Sequence, residues 1–280
     1  MNMRGSRYPI IYSEKGASMA TPDKQFVVVT GGTSGIGLQL ARLAAKDGHD
    51  LLIVAQDPDK LAVVARQLGE HFRVSVDTLE QDLSKPGAAK VVIDYVGERQ
   101  VDVLINNAGF GDYGEFALAD TTKMIAMMQV NVVVVAELLH WVLPQMIKRR
   151  SGHVLNLAST AAFLPGPLMA TYYATKAFVL SLSEAVDEEL TGTGVHVTVL
   201  APGPTATSFE KTAHVEESRI FHPRNLMRAE DVAEAAWKGV KANKRLVIPG
   251  MRNKLTAFVV RLLPRRWAAT ITYHAQKRVP

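Results

Sequence analysis

Short apolar runs alternate along the chain with longer segments whose apolar residues recur at helical spacing. The short runs predict strands over residues 26–30, 51–55, 73–78, 101–105, 153–158, 195–201 and 245–248. Runs that are apolar throughout, such as Val27–Val29 and Val103–Ile105, indicate strands buried on both faces. The pattern therefore predicts an α/β fold: a single-domain, Rossmann-type, doubly wound parallel sheet of about seven strands, flanked by helices.

Composition narrows the class of protein. The chain has 280 residues, 48% of them hydrophobic, which suits one α/β domain, here expected over residues 25–250. The absence of cysteine excludes disulfides and thiolate metal sites and favours a cytoplasmic location; no metal is expected. No uninterrupted apolar stretch reaches the ~18 residues of a membrane-spanning helix. Residues 1–24 predict a disordered leader, within which Met19 is an alternative start.

The net charge of +5 is unevenly distributed. Residues 235–280 contain eleven Lys and Arg and no Asp or Glu, whereas residues 1–234 contain 21 basic and 27 acidic side chains. A nucleic-acid-binding surface is expected to be basic over a face of the fold, so this pattern disfavours nucleic acid as a partner. Residues 251–280 instead predict a basic C-terminal helical extension.

Within that extension, Leu255, Phe258, Val259 and Leu262 fall on one helical stripe flanked by Arg and Lys. Such a stripe favours a packing face, either over a cleft or between subunits. Association with an anionic membrane surface is the alternative, and it is not the favoured one. Pro264 is expected to break or kink the helix.

A glycine-rich turn follows the first predicted strand and reads Thr30-Gly31-Gly32-Thr33-Ser34-Gly35-Ile36-Gly37. Glycine permits a sharp turn at Gly31, close approach of a pyrophosphate at Gly35 and close helix packing at Gly37. A helix N-terminus after the turn favours an anion. A strand-to-helix turn without a ligand explains the glycines equally well if the turn is considered alone.

A second group of residues adds acid–base chemistry. Tyr172 and Lys176 lie four apart in a predicted helix over 170–190, so they share a face. The ammonium group of Lys176, and the cationic nicotinamide of a dinucleotide held by the glycine-rich turn, are expected to lower the pKa of the tyrosine from its ordinary ~10. Ser159 follows the fifth strand and is placed to orient a substrate oxygen. Asn131, in a predicted helix over 121–146, is placed to hold a water that links Lys176 to solvent. Individually, these residues also suit a solvated helix face, a strand cap and a buried polar group.

The order of these motifs resembles the classical short-chain dehydrogenases/reductases from about Gln25 to Pro249. Further matching motifs are Asp82-Leu83, Asn106-Asn107-Ala108-Gly109 and Pro202-Gly203-Pro204-Thr205-Ala206-Thr207. The resemblance implies a catalytic tetrad of Asn131, Ser159, Tyr172 and Lys176, with Tyr172 as the proton donor in reduction. The implied coenzyme site comprises Gly31, Thr33, Ser34, Gly35, Ile36, Gly37, Gln56, Asp82, Leu83, Asn107, Ala108, Gly109, Tyr172, Lys176, Pro202, Gly203, Thr205 and Thr207.

The choice of coenzyme rests on the end of the second strand. A carboxylate there binds the ribose of NAD and repels the 2′-phosphate of NADP, but the chain has Ala55 at that position and Gln56 after it. Thr33 and Ser34 are able to bind phosphate, whereas Asp57 opposes it. The sequence therefore favours NADP(H) slightly over NAD(H).

The resemblance also implies where the substrate binds. Phe110, Phe163, Leu164, Met169 and Phe209 are expected to form an apolar wall, and residues 208–228 a lid. The sequence thus predicts an NAD(P)(H)-dependent oxidoreductase that interconverts a hydrophobic ketone or aldehyde and its alcohol. The family resemblance further implies a homodimer or homotetramer. A non-catalytic, dinucleotide-sensing protein with the same fold is the alternative, although such a protein is expected to lose the tyrosine or the lysine.

Overall fold

The computed structural model of the chain describes residues 24–213, 215 and 226–277. The leader predicted over 1–24 lies outside this range except for Lys24. The lid predicted over 208–228 lies outside it at residues 214 and 216–225. Both therefore stay predictions.

In the described part of the chain, the main sheet has seven strands: β1 Phe26–Thr30, β2 Asp50–Ala55, β3 Val76–Glu80, β4 Val103–Asn106, β5 Gly152–Leu157, β6 Val195–Leu200 and β9 Leu246–Val247. All are parallel, in the order β3-β2-β1-β4-β5-β6-β9. This arrangement confirms the predicted doubly wound fold. A separate two-stranded ribbon pairs β7 Thr205–Ala206 with β8 Met227–Arg228.

Helices connect the strands and cover both faces of the sheet. They are α1 Gly35–Lys46, α2 Pro58–Phe72, α3 Ala88–Val96, α4 Thr121–Met128, α5 Val134–Arg149, α6 Ala170–Glu189, α7 Phe209–Ala213, α8 Ala229–Lys241, α9 Met251–Val260 and α10 Arg265–Gln276. Short 3₁₀ turns occupy Phe116–Leu118 and Thr160–Phe163. Pro264 is the N-cap of α10, so the predicted break of the C-terminal helix lies at that proline.

The apolar core forms one layer on each face of the sheet. Leu40 of α1 and Trp237 of α8 belong to one layer, and Val92 of α3 and Leu138 of α5 belong to the other. Burial on both faces explains why the strands read as continuous apolar runs. Because every strand is parallel, all carboxyl ends meet at one edge of the sheet, where ligands of such folds bind.

A single helical run from Thr121 to Arg149 joins α4 and α5 through a π-helical turn, Gln129–Val133. By length and composition alone, this run is long and apolar enough to cross a membrane. Its residues Leu138, Val142 and Met146 are fully buried against the sheet and neighbouring helices. The run is accordingly a core helix of the folded domain.

Candidate active site

A cleft of about 1410 Å³ lies at the carboxyl ends of the strands. It brings together 15 of the 16 residues predicted for the coenzyme between Gly31 and Gly109 or at Pro202–Thr207, namely Gly31, Thr33, Ser34, Gly35, Ile36, Gln56, Asp82, Leu83, Asn107, Ala108, Gly109, Pro202, Gly203, Thr205 and Thr207. Tyr172 and Lys176 line the same cleft. Of this predicted set only Gly37 lies behind the cleft surface, where a Cβ atom would be 2.3 Å from Nδ2 of Asn107.

The glycine-rich turn between β1 and α1 requires glycine at two positions. Gly31 and Gly35 have φ angles of +66° and +54°, in the left-handed region that favours glycine. A Cβ atom on Gly35 would lie 3.0 Å from Cγ2 of Thr207 and project into the approach to the turn. The backbone is therefore bare where a phosphate group must come close.

Asn107 and Thr30 hold this turn in place. Asn107 Nδ2 donates hydrogen bonds to the carbonyl oxygens of Thr30 and Gly31, each at 3.0 Å. The hydroxyl of Thr30 accepts hydrogen bonds from the backbone N–H groups of Asn107 and Ala108, each at 3.1 Å. The predicted Asn107–Gly109 floor of the cleft thus also fixes the glycine turn to the end of β4.

The N-terminus of α1 fits an anion. Ser34 is its N-cap, the serine side chain makes no capping hydrogen bond, and the first turn contains no acidic residue. The free backbone N–H groups and the helix dipole then favour a negatively charged ligand. Together with Gly31 and Gly35, which also line the cleft, these groups fit the pyrophosphate of a dinucleotide.

The adenosine end of the cleft contains one lysine that the sequence did not single out. Asp57 caps α2 by accepting a hydrogen bond from the Lys60 backbone at 3.0 Å, and its carboxylate pairs with Lys60 Nζ at 2.6 Å. Lys60 lines the cleft beside Gln56. The charge of Asp57, which counted against a phosphate in the sequence, is therefore balanced locally. Asp82 lines the cleft while accepting a hydrogen bond from Ser84 N at 2.9 Å.

Tyr172 and Ser159 meet at the other end of the cleft. Tyr172 comes from α6, and Ser159 is the N-cap of the Thr160–Phe163 turn after β5. A side-chain hydrogen bond joins the two hydroxyl groups. Ser159 Oγ also accepts a hydrogen bond from Ala161 N at 3.1 Å, which fixes its position. The two residues present adjacent hydroxyl groups to one point in the cleft.

Lys176 lies one turn after Tyr172 on α6. Its Nζ donates to the carbonyl oxygen of Leu157 at 2.8 Å and lies 5.8 Å from the centroid of the Tyr172 ring. A Cβ atom on Gly109 would be 3.3 Å from this Nζ and 2.9 Å from Oδ1 of Asn131. Only a glycine lets the floor of the cleft pass between these two side chains.

Asn131 is buried behind the cleft, in the π-helical turn. Its Oδ1 accepts a hydrogen bond from Phe110 N at 3.1 Å, and its Nδ2 donates to Phe110 O at 2.9 Å and to Thr175 Oγ1 at 3.1 Å. The sequence predicted that Asn131 holds a water beside Lys176. In the structure its amide clamps the start of the Phe110 loop to α6, so these bonds give it a positioning role.

Burial controls the protonation of the tyrosine and the lysine. Desolvation raises the pKa of Tyr172 to about 12, and the hydrogen bond from Ser159 opposes this increase only in part. Desolvation likewise lowers the pKa of Lys176 to about 8. The expected lowering of the tyrosine pKa is therefore not found in the chain alone, because the removal of the phenol from water outweighs its favourable contacts.

The substrate end of the cleft is apolar. Of the residues predicted for the apolar wall, Phe110, Leu164, Met169 and Phe209 line the cleft, and the ring centroid of Phe209 lies 5.2 Å from that of Tyr172. Phe163 was predicted for this wall but lies outside the cleft. The 3₁₀ turn directs it onto the cluster of Ala158, Val179 and Leu180, where the guanidinium group of Arg261 covers its ring at 5.5 Å.

The C-terminal helices close the substrate end, which the sequence indicated only as one possible role. Val260 and Leu263 line the cleft from α9 and the segment after it, and Thr272 and Gln276 line it from α10. Gln276 is buried, and its Nε2 donates to the Tyr173 hydroxyl at 2.6 Å. The signal that could have revealed these residues is weak, because small and polar residues at helical spacing rarely mark a cleft-facing side.

Comparison with known proteins agrees with this geometry. The family model described as short chain dehydrogenase matches residues 25–218. An uncharacterized oxidoreductase of Staphylococcus epidermidis is 30% identical over 217 residues, covering 78% of this chain and 91% of its own. The very-long-chain 3-oxoacyl-CoA reductase of Mus musculus is 31% identical over 243 residues, covering 85% of this chain and 73% of its own. A solved short-chain dehydrogenase from Sphingobium yanoikuyae, in complex with NADPH, superposes with a TM-score of 0.78 at 29% identity, covering 85% of this chain and 93% of its own.

The chain thus belongs to the short-chain dehydrogenase family, as the sequence predicted. It is an oxidoreductase that acts on CH–OH or C=O groups with NAD or NADP.

Proposed function

We propose that the protein reduces a bulky hydrophobic ketone to its alcohol and prefers NADPH. The observation that carries the proposal is the hydrogen-bonded pair of hydroxyl groups of Ser159 and Tyr172, which line the same cleft as the glycine-rich turn and the apolar side chains. The apolar walls from Phe110, Met169 and Phe209 favour a substrate without charge near the carbonyl group.

The residues at this junction supply acid catalysis. A bound reduced nicotinamide supplies the hydride for the carbonyl carbon. As the carbonyl π electrons move to the oxygen, that oxygen takes the proton of the Tyr172 hydroxyl, while Ser159 donates a hydrogen bond that orients it. The Lys176 ammonium group, 5.8 Å from the tyrosine ring, stabilises the phenolate left behind.

The pKa of about 12 supports the reductive direction. At neutral pH, Tyr172 carries its proton, which is the form that an acid catalyst of reduction needs. Alcohol oxidation needs the phenolate instead. We therefore expect reduction to dominate near neutrality and oxidation to gain rate as the pH rises.

The preference for NADPH is supported by charge. Ala55 offers no carboxylate to repel a 2′-phosphate, and Lys60 lines the cleft beside Gln56. Ser34, the N-cap of α1, also lines the cleft and adds a hydroxyl group able to bind phosphate. The NADPH complex of the Sphingobium relative is consistent with this choice.

We further propose that the protein is a homodimer or homotetramer that pairs through α4–α6. Ile125, Met128, Val133 and Ile147 of the α4–α5 run and Phe178 of α6 are large apolar residues with substantial exposure. Light scattering of the wild type and of an Ile125→Lys, Phe178→Lys variant tests the contact. A lower mass for the variant supports it, and an unchanged mass contradicts it.

Turnover of coenzyme with ketones of graded size tests the catalytic proposal. Tyr172→Phe is expected to lower kcat by about 10²- to 10⁴-fold with coenzyme affinity unchanged. The exposed Tyr95 lies outside the cleft, so Tyr95→Phe is the matched control. Coenzyme binding without turnover of any compound would instead support the dinucleotide-sensing alternative.

A further inference from the structure

We propose that α9 and α10 form a docking surface for the surface of an anionic lipid bilayer. The two helices have an inner side that closes the cleft and an outer side that faces solvent. Their outer side, here called the outer face, consists of Leu255, Phe258, Val259, Leu262 and Trp267. None of these five residues lines the cleft.

The outer face is unusually apolar for a solvent-facing surface. Leu255 and Phe258 are each 61% exposed, Leu262 is 71% exposed and Trp267 is 63% exposed. The sequence favoured packing as the role of this stripe, but within the chain it is Ala257, Val260 and Ala268 that turn inward. Leu255, Phe258, Val259 and Leu262 recur at positions i, i+3, i+4 and i+7, so they form one exposed apolar stripe of the kind that marks an interaction surface.

Positive charge flanks the outer face. Arg252, Lys254, Arg261, Arg266 and Lys277 all have exposed side chains, and within the described part of the chain none of them forms an ion pair with an acidic residue. Residues 235–280 contain no Asp or Glu. Exposed apolar residues bordered by Lys and Arg, with a tryptophan among them, fit the boundary between anionic headgroups and acyl chains.

The charge distribution favours an anionic surface over a second copy of the chain as the partner of the outer face. A second copy that pairs through the same face across a two-fold axis would bring two cationic surfaces together, which is unfavourable. The remainder of the chain, residues 1–234, has six more acidic than basic side chains. An anionic surface therefore attracts the C-terminal helices, repels the remainder and orients the molecule.

The outer face reaches the mouth of the cleft. Met251 and Ile271 are both exposed and both line the cleft, so they lie at its rim. Met251 is one helical turn from Leu255 on α9, and Ile271 is one turn from Trp267 on α10, so this rim borders the outer face. A protein docked through this face holds that rim against the bilayer. The surface thus fits a membrane that also holds the apolar substrate.

Sedimentation of the full chain with vesicles tests the proposal. The vesicles contain phosphatidylcholine alone or phosphatidylcholine with 30 mol% phosphatidylserine, a composition chosen as roughly that of an anionic leaflet. Binding is expected only to the anionic vesicles and is expected to fall as salt is raised. The triple variant Lys254→Gln, Arg261→Gln, Arg266→Gln should have a partition coefficient at least about tenfold lower, since each cation near such a surface raises that coefficient about fivefold.

Matched variants make the result specific. Lys46→Gln, Arg66→Gln, Lys148→Gln removes three exposed cations elsewhere and should leave binding within about twofold. The triple variant Leu255→Gln, Phe258→Gln, Trp267→Gln should no longer bind vesicles. Its thermal unfolding temperature and its affinity for the coenzyme should be unchanged. No binding of the wild type, equal binding to both vesicles, or equal losses in the two charge variants would overturn the proposal. A fall in molecular mass of the apolar variant without vesicle binding by the wild type would assign the face to a subunit contact instead.

Discussion

The side chain of Gln276 donates a 2.6 Å hydrogen bond to the hydroxyl group of Tyr173, the residue next to the proposed acid Tyr172. Both side chains are buried. The backbone oxygen of Gln276 accepts a further hydrogen bond from the hydroxyl of Tyr113 at 3.1 Å. The end of α10 is thereby joined to the catalytic helix α6 and to the loop after β4, across the substrate end of the cleft.

Loss of this connection should affect substrate binding more than chemistry. Gln276→Ala removes the hydrogen bond and leaves the buried Tyr173 hydroxyl unpaired, a cost of about 1–3 kcal/mol in the free energy of unfolding. We expect a higher KM for the ketone, a kcat changed less than about threefold and unchanged coenzyme affinity. Thr270→Ala, on the exposed side of the same helix, is the control. An unchanged KM would contradict a role for α10 in closing the cleft.

Stability should depend on pH through Lys176. The pKa of this buried ammonium group is about 8, below its ordinary 10.5, so between these values the folded chain binds fewer protons than the unfolded chain. Stability therefore rises with pH across that window, by up to ~3 kcal/mol from this group.

Urea unfolding of the wild type and of Lys176→Met at pH 7, 8, 9 and 10 isolates this contribution. The free energy of unfolding of the wild type, relative to that of the variant, should increase with pH, because only the wild type carries the titrating amine. A difference that stays constant from pH 7 to 10 would show that Lys176 titrates normally.

Two glycine substitutions should separate the effect of backbone strain from the effect of blocking the coenzyme. Gly35→Ala places a methyl group 3.0 Å from Thr207 in the path of the phosphate and should raise the coenzyme Kd more than about tenfold. Gly48 also has a positive φ, but a Cβ there meets nothing within 4 Å. Gly48→Ala should therefore cost only the backbone strain, ~1 kcal/mol, and leave the Kd unchanged. Titration of coenzyme fluorescence with both variants checks this, and equal effects on Kd would contradict it.

Coenzyme selectivity should depend on Lys60. Lys60→Ala is expected to lower kcat/KM for NADPH about threefold to fivefold without changing that for NADH, since an exposed charge pair contributes up to ~1 kcal/mol. Lys85 is a matched control, because it also pairs with an acid, Asp82 at 3.7 Å, but does not line the cleft. Equal losses with both coenzymes would remove the lysine from phosphate recognition.

The parallel sheet and its order of elements were predictable because buried strands are apolar throughout and glycine turns are local signals. The start of β3 was not. The sequence predicts 73–78, whereas the strand covers Val76–Glu80. Arg73 adopts a left-handed conformation, φ 59°, as the C-cap of α2, and this cap delays the strand. A left-handed cap at an arginine has no clear sequence signal, since glycine is the usual residue there.

The site residues were predictable where a motif fixes the backbone, as at Gly31–Gly35 and Tyr172–Lys176. They were less predictable where the side chain can point either into the cleft or into the core. Phe163 turns away from the cleft because its 3₁₀ turn points it at Val179 and Leu180. The direction of the Tyr172 pKa shift depends on how far the fold removes the phenol from water, which residue spacing does not reveal.

The π-helical turn at Gln129–Val133 makes the helical run Thr121–Arg149 sensitive to the deletion of a residue. One surplus residue in this turn alters the angular phase between α4 and α5, so that Asn131 faces the Phe110 loop while Val134 and Leu138 face the sheet. Removal of Val132 would restore regular α-helical winding and rotate one half of the helix by about 100° against the other. The extra residue lets one continuous helix direct the Asn131 amide at the Phe110 loop and its aliphatic side chains at the core.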